Sequence, residues 1–255
     1  MSPIADPTRL TKAELILYGY GIDHPSQIDL EAIAYDLGAS VRYREIEGCE
    51  ARLVAGSERA IITVNAHSHS RRQRFSIGHE LGHWVENHGL GGFACAKEDI
   101  SPQDQRAKGV EAEANGFASQ LILPSYLFEP MAAGKSITLD TADALAQEFN
   151  ASLSATTIKL MKSASVPAAV LCHNPAGLAW SMKNRLFPEN AWIPKELHQD
   201  TDAFELLFAS TGGKSRTRTY PADHWVSWRE APWHNIRAQS VKLPNNLVLS
   251  AIEIQ

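Results

Sequence analysis

Apolar positions recur at helical spacing in some stretches of the chain and alternate in others, and the switches between the two outline its elements. Residues 11–18 carry a helical pattern that breaks at Gly19 and Gly21. A second helix starts from a cap at Asp29, turns Leu30, Ile33, Ala34 and Leu37 inward, and stops at Gly38. Three strand-like segments follow at Val41–Ile46, Ala51–Ala55 and Ala60–Asn65, with Gly56-Ser57-Glu58-Arg59 as the hairpin loop between the last two. A longer helix covers about Arg71–Asn87 and ends at Gly89, Gly91 and Gly92; the stretch Gly92–Gly109 reads as loop. Another helix covers about 109–122 and stops before Pro124, and shorter ones are predicted at 124–132, 140–149 and 152–163.

After Pro167 the texture changes. Short apolar runs at Ala168–Cys172, Phe204–Ala209 and Leu247–Ile254 alternate with Pro, Gly and Asn, which predicts strands. Trp180, Trp192, Trp225, Trp228 and Trp233, five of the six tryptophans, fall in this last third. The shift places a domain boundary near 165: a first domain of residues 1–165 that includes the closing helices, and a smaller C-terminal α+β domain of residues 166–255, whose role the sequence does not assign.

Composition narrows the class. The 255 residues are 44% hydrophobic and 21% charged, which excludes a disordered chain and leaves room for a sizeable core. A net charge of −5 argues against a protein that coats nucleic acid, so no direct nucleic-acid partner is expected. No run of apolar residues is long enough to span a bilayer, and Met1–Leu10 is too polar for a signal peptide. Cys49, Cys95 and Cys172 are widely spaced and odd in number, which suits reduced thiols in the cytoplasm better than a disulfide framework.

The strongest chemical signal is Phe75-Ser76-Ile77-Gly78-His79-Glu80-Leu81-Gly82-His83, which contains H-E-x-x-H. Side chains four apart on a helix lie one above the other, so His79 and His83 can offer ring nitrogens to one metal ion. Glu80 sits about 100° around the helix from His79, where it can take a proton from a metal-bound water. Ile77, Leu81, Trp84 and Val85 cluster on one face while the two histidines share the opposite one, as expected for a helix with one side packed and one facing a cleft. Gly78 and Gly82, each costing about 1 kcal/mol in mid-helix relative to Ala, mark a surface that something approaches closely.

Catalytic zinc sites need three protein ligands and an open position. The third is sought in the helix from Val110 to Leu121, where Val110, Ala114, Phe117 and Leu121 form the buried stripe. Glu111 and Glu113 flank that stripe on opposite sides, so periodicity alone leaves both open. Asn115 lies one turn after Glu111 on the same face, where it can orient a ligating histidine, and this favours Glu111 with Glu113 as the alternative.

These pieces together resemble the ImmA/IrrE family of zinc metallopeptidases. The matching segments are R-x-R-F-S-I-G-H-E-L-G-H from Arg72 to His83 and V-E-A-E-A-N-G-F-A-S-Q-L-I-L-P from Val110 to Pro124, with I-I-T-V-N from Ile61 to Asn65 and the early helix ending in L-G. The match spans about residues 10–165. The resemblance implies an α+β, zincin-like domain of the gluzincin type, with a small antiparallel or mixed sheet and helices carrying H-E-x-x-H. It implies His79, His83 and Glu111 on one zinc per chain, manganese being the alternative activating metal, and Glu80 as general base. It also implies a protease acting on a specific cytoplasmic regulatory protein, a helix-turn-helix repressor controlling stress-response or mobile-element genes. Residues 166–255 match no family in this way. Two rival readings are a regulatory protein that keeps the zinc site without hydrolysis, and a DNA-associated transcription regulator.

Other residues attract attention. Ile61–Asn65, if it forms a sheet edge, would hold an extended substrate by its main chain, and Tyr126 or a histidine outside the motif would supply the oxyanion donor. His88 reads as a packed or capping residue, and His67 and His69 as loop residues at the cleft rim. Arg71, Arg72 and Arg74 place positive charge at the already positive end of the metal helix. Residues 145–160 resemble half of a helix-turn-helix, although only Lys159 and Lys162 would face DNA. Lys214–Arg218 reads as a basic hairpin loop, His224 and His234 as core or strand-face residues, and Gly89–Gly109 as a lid.

Overall fold

The structure is a computed structural model that describes residues 6–86 and 109–255, and the backbone of 91–95. His88 and most of the segment expected to form a lid lie outside the described residues. By packing, the chain divides into one unit of Met1–Met131 with Gln147–Ser152 and another of Ala132–Ala146 with Leu153–Gln255. The change of texture near 165 marks where the strands of the second unit begin; the helix at Leu153–Ser163 and most of that at Leu139–Glu148 group with those strands. The architecture is mixed α+β in both.

In the first unit, α1 (Lys12–Gly19) and α2 (Leu30–Asp36) precede a sheet of β1 (Ala39–Arg44), β2 (Ala51–Ala55), β3 (Ala60–Asn65) and β4 (Gly91–Cys95). Asp29 caps α2 by accepting from the backbone of Glu31 and Ala32, and Gly38 ends it at φ +84, a conformation that favours glycine. The strand order is β1-β3-β2-β4, with β1 parallel to β3 and the other pairs antiparallel. Thus Ile61–Asn65 is paired on both sides and cannot offer its main chain to a substrate. The edge role expected for it fails because β1, reached through α2, returns alongside it. Gly91–Cys95, within the stretch expected as helix end and loop, is a strand, its glycines hiding the alternation that a strand shows.

Along β3, Ala60, Ile62 and Val64 are buried while their neighbours are half-buried, and Ile62 pairs with buried Leu53 of β2. This apolar face is covered by α3 (Ser70–Val85), which turns Ile77 and Leu81 inward. The indole N–H of Trp84 donates to the Leu37 carbonyl at 2.8 Å and fastens the end of α3 to the end of α2. Against α3 lies α4 (Val110–Ile122), followed by α5 (Ser125–Ala132).

In the second unit, α6 (Leu139–Glu148) and α7 (Leu153–Ser163) lead into β5 (Ala168–Asn174) and β6 (Gly177–Lys183). Then come α8 (Asp202–Phe208), β7 (Arg218–Pro221), β8 (Asn235–Leu243) and β9 (Leu247–Ile254). The sheet is antiparallel throughout, in the order β6-β5-β9-β8-β7. Alternate residues of β5 serve opposite faces. Ala169 and Leu171 join a cluster with Ala203, Leu207, Tyr220 and Trp225, and Ala168, Val170 and Cys172 join one with Leu139, Ile158 and Met161. Burial on both faces explains the continuous apolar run there. Phe204–Ala209, expected as a strand, lies almost wholly in α8: Thr201 caps it, and Ala203 and Leu207 bury one helical face.

Candidate metal centre

The geometry starts from the cap of α3. His69 accepts from the backbone of Arg71 and so starts the helix. Three turns later the helix buries its polar stripe, leaving His79 and Glu80 0% and His83 1% exposed. Such burial of titratable groups carries a desolvation cost that a structural helix would avoid.

Close packing of α4 brings the third group in. A Cβ on Gly82 would lie 3.1 Å from the Ala114 Cα, and one on Gly78 would lie 3.2 Å from the Ala118 Cβ. The surface marked by the two glycines is thus met by the backbone of α4. The sequence signal for this partner is matched small residues four apart, Gly78 with Gly82 and Ala114 with Ala118, and the alanines carry no chemistry that marks them. One turn before Ala114, Glu111 reaches the histidines.

His79 Nε2 and His83 Nε2 lie 3.1 Å apart, and Glu111 Oε2 lies 3.3 Å from the first and 3.5 Å from the second. Ligands held tetrahedrally at about 2.1 Å from an ion are about 3.4 Å from one another, so the three atoms have the spacing of three corners around zinc. The donor set, two imidazole nitrogens and one carboxylate oxygen, fits a divalent transition metal. On the far side of its ring, His79 Nδ1 donates to the side-chain oxygen of Asn115 at 3.1 Å, which leaves the Nε2 lone pair pointing to the group. Burial, reinforced by the neighbouring His83, pushes His79 down to about 3, so this ring is neutral at ordinary pH. Glu113 is exposed, while Glu111 faces the histidines.

The basic cluster at the start of α3 is answered locally. Arg72 faces the buried Glu50 at 3.9 Å, and Glu50 also accepts from Ser68 at 2.5 Å. Arg74 donates to the Ile28 carbonyl at 3.3 Å and interacts favourably with Asp29. Glu50 was missed by sequence reasoning because it sits in a loop without a motif. The Tyr126 hydroxyl, expected as a candidate oxyanion donor, donates to the Ile22 carbonyl at 2.7 Å, and burial pushes it up to about 12.

The helix at residues 153–163 and the basic run at Lys214–Arg218 are tied into the second unit. Helix α7 buries Thr156, Thr157, Ile158, Leu160 and Met161 and packs on β5 and β9. Within the basic run, Lys214 pairs with Asp140 at 2.5 Å and Arg218 with Asp202 at 2.9 Å. The run links α8 to β7 and is not a hairpin. Among the described residues no helix is long and apolar enough to cross a membrane.

Comparison with known proteins agrees with this geometry. The family model of the M78 peptidases, the IrrE N-terminal-like domain, matches residues 34–161. No curated protein matches the sequence. Among solved structures, the fold is similar to that of a Mycobacterium tuberculosis transcriptional regulator, with a TM-score of 0.58 at 16% identity over 94% of this chain and 85% of that one. The matched segment contains His79, Glu80, His83, Glu111 and Asn115 and spans half of the sequence, and the chain belongs to the M78 peptidase family of IrrE N-terminal-like proteins.

Proposed function

We propose that this chain is a zinc-dependent endopeptidase with a zincin-like catalytic domain, and that it cleaves a specific regulatory protein, a helix-turn-helix transcriptional repressor. The observation that carries the reading is the convergence of His79, His83 and Glu111 at the spacing of a three-ligand site, with buried Glu80 adjacent in the same helix. His79, His83 and Glu111 would hold the metal ion, which would supply Lewis acidity toward water and the scissile carbonyl. Glu80 accepts the proton of the attacking water and passes it to the leaving amine. Asn115 fixes the orientation of the His79 ring, and the bare Gly78–Gly82 surface lets α4 hold Glu111 in reach. Zinc suits the two imidazoles and the carboxylate, with manganese as the alternative.

The second reading is a regulator that keeps the metal without hydrolysis, favoured by the similarity in fold to a Mycobacterium tuberculosis transcriptional regulator. Glu80 weighs against it, since a purely structural zinc site fills its fourth position with protein and needs no such carboxylate. Incubating the protein with helix-turn-helix repressors from the same organism, with mass-spectrometric mapping of products, separates the two. The proposal expects one defined cut that chelation abolishes. An intact repressor bound tightly by metal-loaded protein would favour the regulator.

A further inference from the structure

Outside the H-E-x-x-H site, one other group of metal-ligating side chains converges among the described residues: His198, Asp200 and His224, all within the second packed unit. Each offers a ligand atom within 4.8 Å of the others. We propose that these three residues hold a second divalent transition-metal ion, in a site separate from the peptidase centre.

The backbone on both sides is set. The His198 carbonyl accepts from the Thr201 amide at 3.1 Å and from its hydroxyl at 2.7 Å. Buried Thr201 in turn caps α8, so the turn from 198 to 201 is pinned to that helix. His224 closes the short 3-10 turn Ala222–His224. Buried Ala222 holds that turn: its carbonyl accepts from Trp225 and Val226, and its amide donates to the His234 carbonyl.

The side chains between these turns are arranged for a cation. The two imidazoles stack with centroids 3.9 Å apart and planes at 9°. His198 Nδ1 accepts from the Asp200 amide at 3.3 Å and lies 3.8 Å from Asp200 Oδ2, so the carboxylate stands beside the ring. A carboxylate beside an imidazole favours positive charge between them. His224 Nδ1 is buried and has no hydrogen-bond partner among the described residues, a deficit that a metal bond removes. Two imidazoles with one carboxylate select zinc, nickel or copper over magnesium or calcium. Parallel rings do not aim their lone pairs at one point, so capture tilts one ring out of the stack by a χ2 rotation. The ion then clamps the start of α8 to the 222–224 turn and leaves a coordination position for water.

The test is zinc stoichiometry by equilibrium dialysis and elemental analysis on the untagged full chain. Wild type is expected to bind two equivalents, and His198→Ala/His224→Ala to bind one. Equal stoichiometry in wild type and a folded double variant overturns the proposal. Asp200→Asn, an exposed and nearly isosteric change that leaves the fold intact, guards against loss of folding in the double variant. It is expected to weaken the second zinc on the order of 10–100-fold without changing the first, and unchanged affinity overturns the proposal as well.

Discussion

The side-chain oxygen of Asn115 on α4 lies 3.1 Å from Nδ1 of His79 on α3, so the helix that brings Glu111 also fixes the tautomer of the first histidine. Replacing Asn115 with Leu leaves a buried ring N–H without its acceptor and frees the ring to turn. Metal affinity is expected to fall by about 10–100-fold, and folding stability by about 1–3 kcal/mol. Competition with a chromogenic chelator and urea titration read the two effects. Affinity equal to wild type would mean that Asn115 does not orient the ligand.

The glycines of the two helices should respond in opposite directions. Ala at Gly82 sets a methyl 3.1 Å from the Ala114 Cα and 3.2 Å from both its carbonyl oxygen and the Phe117 Cβ. The gain in helix propensity, about 1 kcal/mol, is outweighed by overpacking of about 1–3 kcal/mol, and separation of the helices draws Glu111 away from the histidines. Gly116 has nothing within 4 Å of its Cβ position, so Gly116→Ala should stabilise by about 1 kcal/mol. Thermal unfolding with zinc titration of both variants checks the pair.

Glu14 is buried and links separate parts of the first unit. Its carboxylate accepts from the Thr11 amide and hydroxyl at 2.9 Å and from the Ser125 amide at 2.6 Å, which joins the start of α1 to the start of α5. Glu14→Ala removes all three bonds and is expected to cost about 2–4 kcal/mol. Glu14→Gln, which keeps an acceptor, should cost less. Denaturation midpoints rank the two, and a wild-type midpoint for the alanine variant would refute the role.

His173 makes the second unit sensitive to acid. Burial pushes its ring down to about 4, against a hydrogen bond to the Pro194 backbone that acts in the other direction. The unfolded chain binds a proton as pH falls through about 6.5, while the folded ring resists until about 4. Its contribution is therefore complete above pH 6.5 and is lost on the way down to 4, a fall of at most about 3 kcal/mol. Unfolding followed by tryptophan fluorescence at neutral pH and at pH 5 measures the slope, which His173→Gln should flatten.

What the sequence made legible follows from periodicity. The stripe of α3, the alternation in β3 and the cap-and-glycine limits of α2 all announce themselves, because each depends on residues close in the chain. The rest depends on distant partners. The alanines that let α4 touch α3, the carboxylate of Glu50 opposite Arg72 and the pairing of β1 with β3 become visible only when the chain closes on itself. Phe204–Ala209 shows the same limit: a run of six residues fits a strand or a helix equally, and the Thr201 cap decides. At the metal group, periodicity left Glu111 and Glu113 open, and the approach of α4 to α3 is what separates them in space.

The most direct test compares metal content and repressor cleavage in wild type and Glu80→Gln. Glu80 is adjacent to the ligands but is not one of them, so both proteins should carry the same amount of metal while only wild type cleaves. Cleavage by Glu80→Gln at the wild-type rate, or a peptidase-competent wild type that keeps its activity when stripped of metal, would contradict the account.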